Sequence, residues 1–317
     1  MKNTVFLNSE KINFDNKIDF SKLSEFTKVT LYNSSTEDEI LKRVENQNIV
    51  VTKELPLNGN LISKFPPSVE LICEAGTGYN NIDTKTAGEK NIMVCNVPGY
   101  STDAVAQLAI TFILNLCSSL VLQQVMLNEK DFDNFTRDLQ VSHSEIKGKI
   151  LGVIGAGAIG QRVIKTALNL GMKVLVYNRS LKPIANVKFV TLEELLGNSD
   201  FVTIHCPLTE NTKYLIDKDK LKLMKSSSFI INTARGPIIN EKDLIEALHN
   251  KTIAGAALDV QEHEPFDLNN PLFSMRNVIL TPHIGCKCIE TRQRLVELLG
   301  NNIKAFINKN PINSVNS

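Results

Sequence analysis

The sequence predicts an α/β protein of two lobes, each built on a parallel sheet, and three observations carry that prediction. The chain has 317 residues, more than one small core needs at about 150 residues per domain. From Lys149 to His283 short, unbroken apolar runs alternate with helical stretches, the pattern of βαβ units whose strands are covered on both faces. Before Ser101 the same alternation repeats on a smaller scale.

Taken in order, the first strands fall near Thr4–Leu7, Lys28–Tyr32, Ile49–Val51, Glu70–Glu74 and Asn91–Cys95, and the Pro66-Pro67 pair reads as a turn before the fourth. Ala104–Leu122 follows, nineteen residues without a formal charge, near the length that spans a bilayer. It contains Gln107, Thr111, Asn115, Ser118 and Ser119 and lacks basic or aromatic anchors. The expectation is one long helix from Ser101 to Leu122, buried in the core or in a dimer contact rather than in a membrane. Further strands are expected at Ile150–Ile154, Lys173–Tyr177, Phe201–His205, Ser228–Thr233, Ala254–Val260 and Asn277–Thr281, with helices at Ile159–Leu170, Leu192–Leu196 and Glu241–Asn250 between them. Ile289–Asn308 has helical spacing and is expected to return to the first lobe. The lobes are therefore residues 1–101 with 285–317, and 102–284.

Composition excludes several classes of function. With 35 basic and 34 acidic residues, no charge excess points to nucleic acid or to a membrane surface. The segment Met1–Glu10 has only the apolar run Val5–Leu7, so it carries no secretory core and a cytoplasmic location is expected. Cys73, Cys95, Cys117, Cys206, Cys286 and Cys288 show no framework of spacings, which fits reduced thiols.

Directly after the strand Ile150–Ile154 stands Gly155-Ala156-Gly157-Ala158-Ile159-Gly160, and a helical run follows. In that context the glycines serve a tight turn, a close approach of backbone to pyrophosphate, and close helix packing, with phosphate charge at the helix N-terminus. A dinucleotide is implied. The next strand ends at Asn178-Arg179-Ser180, where an NAD-selective site places an acid for the ribose hydroxyls. Asn178 in place of an acid, with Arg179, Ser180 and Lys182 able to bind a 2'-phosphate, favours NADP(H) over NAD(H).

Three further blocks carry the chemistry: Asn232-Thr233-Ala234-Arg235-Gly236, Asp259 to Glu264-Pro265, and Thr281-Pro282-His283-Ile284-Gly285. With the dinucleotide turn and Glu74-Ala75-Gly76-Thr77-Gly78-Tyr79-Asn80-Asn81-Ile82-Asp83, they resemble, in order and over nearly the whole chain, the D-isomer-specific 2-hydroxyacid dehydrogenase family. The resemblance implies two Rossmann-like or flavodoxin-like lobes with parallel sheets and an active site in the interdomain cleft. It implies that Arg235 holds the substrate carboxylate and keto oxygen, a match for its planar fork. His283 is then the proton donor, and Glu264 pairs with it to favour the imidazolium. Backbone amides of Gly76, Thr77 and Gly78 help bind the carboxylate, and Thr77, Ala158, Ile159, Cys206, Thr233, Ala234, Asp259 and Gly285 match dinucleotide contacts.

Cys286-Lys287-Cys288 departs from the family, which more often has small or polar residues there; a Cys-x-Cys pair without a matching second pair predicts no metal. A thiol beside His283 and Lys287 is a candidate for reactivity. Within the family, the Gly76–Asp83 block and Pro98–Gln107 look most like the glycerate dehydrogenase and hydroxypyruvate reductase branch. Small 2-keto and 2-hydroxy acids are the expected partners, hydroxypyruvate first and glyoxylate second, and a homodimer is expected. The alternative is a short-form D-3-phosphoglycerate dehydrogenase, with Lys53 as phosphate partner. A different class, a dinucleotide-sensing binding protein, shares the fold but has no need of Arg235, Glu264 and His283 together.

Overall fold

The computed structural model describes residues 1–180 and 183–316. They divide into two compact units, Met1–Ser101 with Cys286–Ser317, and Thr102–Gly285.

The first unit is a five-stranded, wholly parallel sheet of β1 (Asn3–Phe6), β2 (Lys28–Leu31), β3 (Ile49–Thr52), β4 (Leu71–Glu74) and β5 (Met93–Cys95), in the order β2-β1-β3-β4-β5. Every residue of β3 and β4 is buried, whereas β2 is mostly exposed, as befits central strands and an edge. Alternate side chains feed two cores. Phe6, Val51, Leu71 and Cys73 pack with Leu295, Val296, Leu299 and Ile303, while Val5, Val50, Ile72 and Val94 pack with Ile40, Leu61 and Ile62. The first set includes the C-terminal helix Ile289–Ile307. That helix is pinned by Arg292, whose guanidinium donates to both carboxylate oxygens of Asp15 at 2.7 Å and to the Ile12 carbonyl at 2.9 Å.

The second unit holds β6 (Ile150–Ile154), β7 (Lys173–Tyr177), β8 (Val187–Phe189), β9 (Phe201–Ile204), β10 (Phe229–Asn232), β11 (Gly255–Leu258) and β12 (Val278–Leu280). The order β12-β11-β10-β9-β6-β7-β8 is parallel throughout. Winding runs outward from β6 in both directions, so the carboxyl end of β6 is the topological switch point where such sheets bind ligands.

Two expectations need correction. β8 has no counterpart in the expected strands, because it is a three-residue, partly exposed edge strand with little hydrophobic signal. The single helix expected over Ser101–Leu122 is two helices, Thr102–Ser118 and Leu120–Asn128, bent by 65°. Ser119 makes the break: its φ is 50°, and its hydroxyl donates to the Ser142 carbonyl. The first of the two helices packs against Ala158–Asn169 through Ala106, Ala109, Ile110 and Ile113. Among the described residues no single helix is long and apolar enough to cross a membrane.

Candidate active site

The dinucleotide turn leaves β6 at Gly155, whose φ of 95° suits glycine alone and whose Cβ would stand 2.7 Å from the Cys206 amide nitrogen. A Cβ on Gly160 would meet the Gly155 carbonyl at 2.0 Å, so the helix Ala158–Asn169 can close on the turn only without a side chain there. Gly157 differs: a Cβ built on it touches nothing within 4 Å among the described residues. That opening lies at the positive end of a twelve-residue helix beginning at Ala158 and Ile159, and it is a space that phosphate oxygens fit. A second fit test agrees, since the buried Thr233 hydroxyl after β10 has no hydrogen-bond partner among the described residues. The residues therefore suit a dinucleotide.

Asn178, after β7, fixes the turn: its Oδ1 accepts from the Ala156 amide at 2.9 Å and its Nδ2 donates to the Ser180 carbonyl at 2.6 Å. Arg179 and Ser180 are exposed. Lys182 lies outside the described residues. Cys206, at the end of β9, is enclosed enough that burial pushes its thiol up to about 11, so it lines the turn as a neutral group.

Asn232 ends β10 and shapes the next loop, accepting from the Ala234 amide at 3.0 Å and donating to the Arg235 carbonyl at 2.9 Å. Arg235 is half-buried, and its Nη1 donates to the Ala234 carbonyl at 2.7 Å. Gly236 brings this loop against the one after β11, for a Cβ on it would lie 1.8 Å from the Gln261 carbonyl oxygen. Gln261 in turn donates its amide to Glu264 Oε1 at 3.3 Å. The other oxygen, Glu264 Oε2, stands 2.9 Å from His283 Nδ1. Arg235, Glu264 and His283 thus sit on three loops in direct contact.

Asp259, 1% exposed, organises the third of those loops. Its Oδ1 accepts from the Thr281 hydroxyl at 2.6 Å and the Ile284 amide at 2.7 Å, and its Oδ2 from the Gly285 amide at 2.8 Å. Burial raises its carboxyl above the usual range against these donors and the charge of His283. The family resemblance implies that Asp259 is a cofactor contact; in the structure its carboxylate accepts from three donors of the chain. Within their sequence block Asn232 and Gly236 carried no individual role: Asn232 acts by short-range bonds inside its own loop, whereas Gly236 meets the Gln261 backbone, which only the folded chain brings near.

In the first unit, Gly76, Thr77 and Gly78 follow β4, and the Thr77 hydroxyl donates to the Val97 carbonyl at 3.1 Å. The Lys53 ammonium is buried and paired with the Glu54 carboxylate.

A switch-point glycine turn, an arginine and a paired Glu–His define a nicotinamide-dependent dehydrogenase. The family model for the NAD binding domain of D-isomer specific 2-hydroxyacid dehydrogenases matches residues 110–285, and the chain belongs to that family. It is an NAD(P)-dependent oxidoreductase acting on the CH–OH group of 2-hydroxy acids. It is 37% identical over 284 residues to a hydroxypyruvate reductase of Blautia hydrogenotrophica, with 88% of each chain covered. To a glyoxylate reductase of Thermococcus litoralis it is 37% identical over 283 residues, covering 84% of this chain and 82% of the relative. Among solved structures it resembles, with a TM-score of 0.85 and 25% identity, an NADPH-dependent glyoxylate/hydroxypyruvate reductase of Sinorhizobium meliloti in complex with NADP and malonate, covering 99% and 96% of the two chains.

Proposed function

We propose that this chain reduces hydroxypyruvate to D-glycerate, with glyoxylate as a second substrate because a pocket cannot easily reject a smaller analogue. One observation carries the assignment of roles: Glu264 occupies His283 Nδ1 at 2.9 Å, which leaves Nε2 as the nitrogen that delivers a proton to the keto oxygen. Arg235 grips the carboxylate and keto oxygen, with the amides of Gly76, Thr77 and Gly78 assisting at the carboxylate. Gly155, Gly157, Ala158, Ile159 and Gly160 receive the pyrophosphate, Asn178, Arg179 and Ser180 the adenosine ribose, and Thr77, Cys206, Thr233, Ala234, Asp259 and Gly285 line the remainder. The nicotinamide, when bound, supplies the two-electron chemistry at the keto carbon. NADP(H) is the preferred form, since no acid follows β7 to repel a 2'-phosphate.

The unit Met1–Ser101 with Cys286–Ser317 is the substrate-binding domain in this reading. The protein works in the cytoplasm as a homodimer; the large apolar side chains of Leu114, Leu120, Phe132, Phe135 and Leu139, close in sequence, are each exposed, and a partner that covered them would remove apolar area from water. Light scattering should give twice the chain mass, and Phe132→Glu with Phe135→Glu should halve it. The short-form phosphoglycerate dehydrogenase loses ground, because the Lys53 ammonium already holds Glu54. Cofactor absorbance followed against a panel of 2-keto acids decides the substrate: hydroxypyruvate should show the highest kcat/KM, and no turnover with any member would refute the reading.

A further inference from the structure

The sheet of the first unit winds in opposite directions from β1 and β3, so their carboxyl ends form a second switch point, where ligands gather. Asn8 and Lys53 leave those ends. Asn8 clamps the Lys53 backbone from both sides, its Oδ1 accepting from the amide at 2.9 Å and its Nδ2 donating to the carbonyl at 2.6 Å. Glu54, next in line, has φ 55°, a conformation that side-chain-bearing residues rarely adopt. Its amide donates to Glu74 Oε1 at 2.9 Å and its carboxylate pairs with the Lys53 ammonium. Glu74, fully buried at the end of β4, accepts at Oε2 from Asn81 Nδ2 at 2.9 Å.

A turn that only had to be stable would be served as well by apolar groups, since buried ion pairs rarely add net stability. Strain held in place by several partners is instead a mark of functional positions. The position of Gly76 says which function. A Cβ on it would lie 3.2 Å from Glu74 Oε1 and 3.4 Å from Lys53 Nζ, so the charged cluster lies directly against the first residue of the loop assigned to the substrate carboxylate.

We propose that Glu74 is a positioning residue that acts through Lys53 and Glu54 to tune the affinity of the Gly76–Gly78 loop for the keto-acid carboxylate. The proposal rests on the functional reading above. Burial lifts Glu74 to about 7, opposed by the Lys53 ammonium and the Asn81 and Glu54 N–H groups. Within the first unit, the titratable groups facing Glu74 include Lys53, Glu54, Tyr100, Cys286 and Cys73. Burial works against the Lys53 ammonium, and the anionic forms of its neighbours act in the opposite direction, the Glu54 carboxylate beside it among them. Tyr100 and Cys73 are pushed up by burial and stay neutral. Below neutrality Lys53 and Glu54 cancel; above it Glu74 adds a negative charge beside Gly76 and weakens the hold on an anion.

The test compares Glu74→Gln with the unaltered chain. The ratio of their keto-acid KM values should be near one at about pH 6 and fall to about one-third to one-tenth at about pH 8.5, the size of one uncancelled charge near the loop. The change should fall on KM rather than kcat. A ratio that does not move with pH overturns the proposal. Should Glu74→Gln fail to fold, Lys53→Gln must raise KM about three- to tenfold at about pH 6, and an unchanged KM there overturns it equally. Calorimetric binding of oxamate to the cofactor-loaded chain reads the same ratio without turnover. If keto acids are not reduced but the oxamate ratio still follows pH, the functional reading fails and this inference stands.

Discussion

His283 reaches its place through a backbone conformation that histidine seldom takes. At φ 52° its amide donates to the Asp259 carbonyl at 2.9 Å and the Thr281 carbonyl at 3.0 Å, while the Asp259 carboxylate ties down the two residues that follow. Such a site stores strain that the surrounding bonds must over-determine, a feature that clusters at functional positions, and in the proposed reading it holds the proton donor ready. His283→Ala should therefore lower kcat by about 100- to 10,000-fold while cofactor affinity, measured by fluorescence titration, changes little; retained turnover at saturation would assign the proton to another group. Asn178 makes a second case at this scale. Its Oδ1 already accepts from Ala156, so Asn178→Asp keeps that bond and adds a charge that repels a 2'-phosphate. The ratio of kcat/KM for NADPH over NADH should fall by at least about tenfold, and an unaltered chain that prefers NADH would end the argument. The chemistry-bearing side chains were legible in the sequence because their types and order are local text. Gly236 was not, since its reason for being glycine is the Gln261 carbonyl across a loop contact.

Elements with strong apolar runs were the most readable, and the exceptions have physical causes. β6 and β7 fall where the runs predict, because strands covered on both faces leave an unbroken hydrophobic signature. Runs such as Ala254–Val260 exceed the β11 strand because the residues beyond Leu258 turn off to build the site and stay buried there. The bend at Ser119 left no trace, for serine carries no mark of left-handed backbone and the helices on either side remain apolar. The C-terminal helix shows what an element owes to its partners. Its apolar stripe of Leu295, Val296, Leu299 and Ile303 is fully enclosed by the first unit's core, and packing rather than propensity holds it. Leu299→Ala should cost about 2–5 kcal/mol in urea unfolding; a loss below about 1 kcal/mol would mean that the stripe tolerates a cavity.

For the molecule as a whole, the two sheets place opposing titrations inside one chain, and the balance between them predicts the pH profile of stability. His205, at the end of β9, is partly exposed by area but its ring is densely surrounded, and burial lowers it to about 3. Between about pH 3 and the unfolded value near 6.5 the unfolded chain binds the extra proton, so this group makes stability fall as pH falls. Glu74 acts in the opposite sense. Burial raises it to about 7, so between the unfolded value near 4.3 and about 7 the folded chain binds the extra proton and stability falls as pH rises. Over about pH 4.3–6.5 the two slopes, each up to about 1.4 kcal/mol per pH unit, oppose one another and leave a plateau. Asp15, held down to about 2 chiefly by its hydrogen bonds from Arg292, contributes stability that is present above the unfolded value near 3.9 and lost as pH falls toward 2, which closes the plateau on the acid side. The melting temperature should accordingly vary little between about pH 4.5 and 6.5 and drop below it. Glu74→Gln should remove one slope and expose the other, so that its melting temperature falls steadily as pH is lowered through this window, and His205→Asn should tilt the profile the other way. Parallel profiles for all three proteins would show that neither group titrates differently in the folded and unfolded chains.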